Sequence, residues 1–236
     1  MKGAATVIIG GTAGLGRDLA SLCLERGQRV IIAGRDEARC ADIAGELGGD
    51  CESLALDLSD PHGIAAALES VDSVRHVALA AIERDENTVR DYSVDDAIRL
   101  TTLKLVGYTE VVHQLAPRMT GEGSVLIYGG QAQARPYPGS TTVSTVNGGV
   151  LGMVRTLATE LAPIRVNGIH PGVIGDSPYW AGKPEGILDP IAERTPIGRL
   201  VTMRELSDAA LFLLENDFVT GVCVPVDGGR TIASGE

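Results

Sequence analysis

The chain has 236 residues, 44% hydrophobic and 22% charged, with 30 glycines and aromatics at only 3%. That length and mixture suit one globular α/β domain with a core of Val, Ile, Leu and Ala, and they exclude a disordered chain. The formal net charge of −11 argues against a nucleic-acid partner, because a phosphate backbone is bound through a Lys/Arg surface.

The amino terminus, MKGAATVIIGG, runs straight into a strand predicted over Thr6–Ile9. It has no signal-peptide pattern, and no apolar run anywhere reaches membrane-spanning length, so a cytoplasmic location without membrane contact is expected. Cys23, Cys40, Cys51 and Cys223 show neither a CxxC nor a metal-ligand spacing, which predicts reduced thiols and no metal site.

The first strand feeds Gly10-Gly11-Thr12-Ala13-Gly14-Leu15-Gly16 and then a helix from about Leu15. Gly10 permits a sharp turn out of the strand, and Gly14 and Gly16 let the helix start approach a pyrophosphate. Placed between a strand and a helix, this pattern predicts a dinucleotide site; a merely structural glycine turn is the plainer alternative. The second strand, Arg29–Ala33, ends in Gly34-Arg35 and leads to a helix near Glu37. No acid stands there to accept from a ribose 2′-hydroxyl. Gly34 is read as leaving room and Arg35 as a forked cation for a 2′-phosphate, so NADP(H) is expected over NAD(H). Arg35 has the plainer reading of a solvated helix-start residue.

The third strand, Ser53–Leu56, is followed by Asp57-Leu58 and a helix near Pro61. Asp57 is placed to accept from an adenine amine, or else to cap that helix. Strands at His76–Leu79, Val125–Tyr128, Arg165–Ile169 and Cys223–Val226 alternate with helices from about Val94, Thr142 and Met203. Such alternation predicts parallel strands joined by right-handed crossovers. The longest irregular stretch, Pro171–Thr195, holds Tyr179 and Trp180 and is a candidate substrate lid or a plain surface excursion.

Taken together, GGTAGLG, RTLATELAPIRVNGIHPG, TPIGRLVTMRELSDAALFLL and TGVCVPVDGG resemble the short-chain dehydrogenase/reductase family along essentially the whole chain. The resemblance implies a single Rossmann-type doubly wound domain of about seven parallel strands over residues 1–236. It also implies a nicotinamide cofactor, a small carbonyl or alcohol substrate, and assembly as homodimers or homotetramers. The nucleotide-contacting residues it implies are Gly10, Thr12, Gly14, Leu15, Gly16, Arg35, Asp57, Leu58 and Ala80. Backbone groups of Pro171, Gly172 and Val173 are expected against the nicotinamide amide.

The family's catalytic residues carry over badly. Its tyrosine falls on Val143, its lysine on Asn147 and its serine on Gly130. Its helix asparagine falls on Lys104, and its Asn-Asn-Ala-Gly stretch on Ala78-Leu79-Ala80-Ala81. Val143 has no proton to give, and losing a positioned acid costs roughly 10²–10⁴ in rate. Lys and Asn have in effect changed helices, so Lys104 is expected to supply the positive charge near the ribose; the plainer reading sends it to solvent.

Tyr128, expected on the same face as Gly130, and His170, at the carboxyl edge of the sixth strand, are the other candidate proton carriers. Tyr137, Ser140 and Ser144 flank Val143, and Tyr179 and Lys183 lie in the candidate lid. Three readings follow: an NADPH-dependent oxidoreductase with a relocated acid, a catalytically silent NADP(H)-binding sensor or scaffold, and a non-redox lyase or isomerase.

Overall fold

The computed structural model describes residues 3–233, so the two ends of the predicted 1–236 unit lie outside the described residues. Strands form where β-branched residues run together, and because both faces are covered these runs are apolar without alternation. They are β1 (Ala5–Ile9), β2 (Val30–Gly34), β3 (Cys51–Ala55), β4 (Val74–Leu79), β5 (Met119–Tyr128), β6 (Arg165–Pro171) and β7 (Cys223–Val226). All pair in parallel in the order β3-β2-β1-β4-β5-β6-β7, the expected doubly wound single-domain α/β fold. The order reverses beside β1, whose Val7 pairs with Ile31 on one side and Val77 on the other. A ligand crevice is expected above that reversal.

Helices α1 (Gly14–Glu25), α2 (Glu37–Leu47) and α8 (Met203–Glu215) cover one face, burying Leu19, Leu22, Ile43, Leu206 and Leu214. The short α3 (Ile64–Ala67), α5 (Tyr108–Leu115) and α6 (Thr141–Glu160) cover the other through Ile64, Tyr108, Val111, Val150 and Val154. Asp36 caps α2, and Thr202 and Glu205 form a capping box on α8. No helix among the described residues is long and apolar enough to cross a membrane.

Three elements depart from the sequence expectation. The helix expected through residues 100–114 is divided: α4 (Val94–Thr101) passes through a π-helical turn, Thr102–Gly107, into α5. Gly107 lies so close to the Leu58 carbonyl that a side chain there would collide with it, and the extra residue in the turn aims Lys104 inward. The fifth strand begins at Met119, because a polar lead-in pairs with Val74 before the register shifts. The stretch 171–195 holds a 3₁₀ turn, Pro178–Trp180, and the short helix α7 (Asp189–Glu193). Ala78 and Leu79, assigned to the Asn-Asn-Ala-Gly stretch, lie inside β4; only Ala80 and Ala81 follow it.

Candidate functional site

The glycine turn is built by close approach as well as by backbone freedom. Gly10 has φ +88°, and a β-carbon there would stand 2.6 Å from the Ala81 nitrogen. Gly16 packs its α-carbon on the Gly10 carbonyl with no space for a side chain, whereas Gly14, at φ +51°, faces open space. Helix α1 starts at Gly14 with no side-chain cap on Ala13 and no acid in its first turn. The N–H groups of Gly14, Leu15 and Gly16 are therefore left without a side-chain cap or a carboxylate beside them in the first turn. Ala80 donates its N–H to the Ile9 carbonyl, holding the strand ends together beneath this turn. The cradle fits a dinucleotide pyrophosphate.

At the adenosine end one expectation is corrected. Gly34 does not leave room: a β-carbon there would lie 3.0 Å from Thr12 Cγ2 and 3.1 Å from Cys40 Sγ. Thr12 and Cys40 pack closely on Gly34, and a side chain there would require them to give by a few tenths of an ångström. Arg35 is not simply solvated; its guanidinium pairs with Glu83, which Arg99 also grips at 2.7 and 3.0 Å. Asp57 accepts at Oδ1 from both the N–H and the hydroxyl of Ser59, at 2.8 and 2.6 Å. It does not cap the turn at Pro61, whose preceding residue is Asp60. Despite partial burial, those bonds and the nearby Arg99 and Arg35 charges hold the Asp57 carboxyl below its ordinary range. The Leu58 side chain is in the core, and its carbonyl lies against Gly107.

The altered catalytic positions come together at the carboxyl edge of β5 and the first turns of α6. Asn147 is buried, and its Nδ2 would lie 2.9 Å from a β-carbon on Gly130. The amide thus fills the space a serine side chain would take. Val143 packs with Leu100, Ala132 and Val146 in a small apolar cluster. The neighbouring hydroxyls are spent locally: Ser140 Oγ donates to the Tyr137 carbonyl at 2.6 Å and lies 2.8 Å from Ser144 Oγ.

Lys104 does not snorkel to solvent. It is 1% exposed, and its Nζ donates to Tyr108 Oη at 3.1 Å; Tyr108 in turn donates to the Ala81 carbonyl at 2.5 Å. Burial brings its pKa down from 10.5 to about 7. The two residues read Lys-x-x-x-Tyr, the family's catalytic spacing reversed on the neighbouring helix; that spacing was a usable signal for Tyr108. His170 is also buried, its Nδ1 taking the Gly130 N–H at 3.1 Å. Burial foremost, with the Lys104 charge adding to it, holds His170 below its ordinary imidazole range.

Tyr128 is corrected as well. Its ring belongs to the cluster under α1 and α8, with Leu19, Cys23 and Leu206 around it, not to the face that Gly130 turns toward Asn147. Strand alternation was extended past Tyr128, where β5 ends. Its hydroxyl has no hydrogen-bond partner among the described residues, and burial pushes its pKa well up. At β6, Gly172 spends its N–H on the Val226 carbonyl, which leaves Pro171 and Val173 to offer backbone groups to a nicotinamide amide. Tyr179 is partly exposed, with Arg84 and Lys183 each 4.6 Å from its ring centroid. Among the described residues no cluster of His, Cys, Asp and Glu could hold a metal.

Comparison with known proteins agrees with this geometry. The family model described as enoyl-(acyl carrier protein) reductase matches residues 10–231. The 3-oxoacyl-[acyl-carrier-protein] reductase of Bos taurus is 32% identical over 94% of this chain and 95% of its own length. Cis-4-hydroxycyclohexanecarboxylate dehydrogenase of Sinomonas cyclohexanicum is 31% identical over 95% of each chain. The structure of the 3-ketoacyl-(acyl-carrier-protein) reductase from Brucella melitensis, complexed with NADH, superposes with a TM-score of 0.85. It has 27% identity, with 98% of this chain and 99% of that one covered. The sheet order, the glycine cradle at the end of β1 and these matches place the chain in the short-chain dehydrogenase/reductase family of oxidoreductases.

Proposed function

We propose that the protein is an NADP(H)-dependent oxidoreductase acting on a small carbonyl or alcohol compound, with Lys104 in place of the missing acid. The observation that carries this is the Lys104 ammonium, buried, hydrogen-bonded to Tyr108, and near enough to His170 for its charge to act on that ring. Burying an amine costs stability, and such groups concentrate at functional sites. Gly10, Thr12, Gly14, Leu15 and Gly16 hold the pyrophosphate in this reading. Arg35 meets the 2′-phosphate, Asp57 and the Leu58 backbone meet the adenine, and Ala80, Pro171, Gly172 and Val173 surround the nicotinamide half.

A bound dihydronicotinamide supplies the hydride. Lys104, with a pKa of about 7, donates the proton to the substrate oxygen near neutral pH. Tyr108 accepts from Lys104 and donates to the Ala81 carbonyl, which orients the ammonium. His170 packs on Gly129 and holds the Gly130 backbone through its Nδ1. The 171–195 segment acts as a lid in this reading. Its support is Trp180 Nε1, which donates to the Ile174 carbonyl at 2.7 Å, and Arg84, which stacks on Tyr179 from the loop after β4. The exposed Val94, Ile98 and Val106 support a homodimer or homotetramer.

A second reading, a catalytically silent NADP(H) sensor, draws support from Val143 in its apolar cluster and from the crowding at Gly130. Titration with NADPH and NADH, followed by NADPH consumption against 3-oxoacyl thioesters and small ketones, tests both. Steady turnover that falls at least 100-fold in Lys104→Met supports the enzyme. Binding without turnover supports the sensor, and binding of neither nucleotide removes both.

A further inference from the structure

We infer that Glu83 and Arg99 set the choice between phosphorylated and unphosphorylated cofactor, with the Glu83 carboxylate standing on Arg35 where a 2′-phosphate would bind. The inference rests on the nucleotide reading above but not on any catalytic step.

The sheet order fixes the geometry. Strand β1 lies between β2 and β4, Arg35 is the first residue beyond β2, and Glu83 follows β4 closely. A link from Arg35 to Glu83 therefore crosses above the end of β1 and over the glycine turn. Parallel strands lie about 4.8 Å apart, so the span from β2 to β4 is about 10 Å, within reach of an arginine and a glutamate side chain. The ion pair is a strap across the groove that a dinucleotide must occupy.

The two arginines hold Glu83 unequally. Arg99 grips it as a fork, through Nε to Oε2 at 2.7 Å and Nη2 to Oε1 at 3.0 Å. Arg35 touches it through Nη1 alone, and the Arg35 side chain is 57% exposed against 25% for Glu83. The Arg35 link is the one that opens, leaving Glu83 on Arg99. Asp57 feels both guanidiniums and Asp96 also acts on Arg99, so the cations of this corner are already faced by carboxylates.

A 2′-phosphate entering here exchanges with the carboxylate on Arg35: one forked guanidinium–anion pair replaces another. A cofactor with only a 2′-hydroxyl opens the same strap and returns no anion to Arg35. Preference for the phosphorylated cofactor thus arises from an exchange of anions, opposed by whatever repulsion Glu83 still exerts from Arg99.

Calorimetric titration of wild type, Glu83→Gln and Arg99→Ala with NADPH and NADH tests this. Glu83→Gln is expected to tighten NADPH about 5-fold, the upper end for an exposed ion pair, and to raise the preference over NADH. Arg99→Ala is expected to weaken NADPH by a similar factor, because Glu83 loses its resting place and stays on Arg35. Binding of NADPH by the E83Q variant alone would also support the strap. NADPH affinity unchanged or weakened in E83Q, or unchanged in R99A, overturns the inference while leaving the nucleotide reading intact. Failure of all three proteins to bind either nucleotide overturns both.

Discussion

Asn147 and Gly130 are one packing unit: the Asn147 amide nitrogen would stand 2.9 Å from any β-carbon placed on Gly130. A side chain at 130 and the Asn147 amide therefore compete for the same space. Gly130 has φ −178°, so the conflict is steric and the backbone adds no strain. Gly130→Ala is expected to cost about 1–2 kcal/mol by overpacking, and to be near neutral in an Asn147→Ala background. Urea denaturation of the two single variants and the double variant measures that coupling; additive effects would mean the contact is slack.

Lys104 makes stability depend on pH in a fixed direction. Its pKa is about 7 folded against 10.5 as a free side chain, so between those values the unfolded chain binds more protons and stability rises with pH. Lys104→Met removes the cost of burying the amine. The variant should be more stable by on the order of 3–5 kcal/mol below pH 7, with the difference closing toward pH 10. Denaturation midpoints at pH 6, 8 and 10 decide it, and a lysine with a solvent route would show no such trend.

The same pKa sets a rate profile. If the Lys104 ammonium is the proton donor, carbonyl reduction should fall as pH rises through about 7. A kcat that holds level from pH 6 to 9 would remove Lys104 as the acid.

Gly10 and Gly14 both have positive φ but differ in their surroundings, and this separates fold from site. Gly10→Ala adds a collision with Ala81 to the backbone strain, and should cost well over 2 kcal/mol along with nucleotide affinity. Gly14→Ala meets no atom within 4 Å and should cost only about 1 kcal/mol of strain. Thermal melts with and without NADPH report both quantities.

Tyr128→Phe discriminates the two placements of that ring. Buried under α1 and α8 with no partner for its hydroxyl among the described residues, it should lose the oxygen without destabilisation. Nucleotide affinity and any turnover should be unchanged. A large loss of turnover alone would return Tyr128 to the list of proton donors.

The seven strands and the glycine turn were legible in the chain because their causes are local. A run such as Val30-Ile31-Ile32-Ala33 is apolar on both faces, and Gly10-x-x-x-Gly14-x-Gly16 carries its purpose in its spacing. The absence of Tyr, Lys and Ser at positions 143, 147 and 130 was equally plain. What stands in their place was not, since each substitute depends on groups distant in sequence. The inward aim of Lys104 comes from a π-helical turn pressed against Leu58. Gly130 does not share the face of Tyr128 because β5 ends between them, and Gly34 is packed closely by Thr12 and Cys40.

Sequence alone thus determined the sheet and the glycine turn, both of which follow from residue types and spacings a few positions long. Only the tertiary structure decided that Lys104 is buried against Tyr108, that the Asn147 amide packs on Gly130, and that Glu83 bridges Arg35 and Arg99. Those outcomes depend on how strands and helices far apart in the chain meet, and burial and charge pairing exist only once they have.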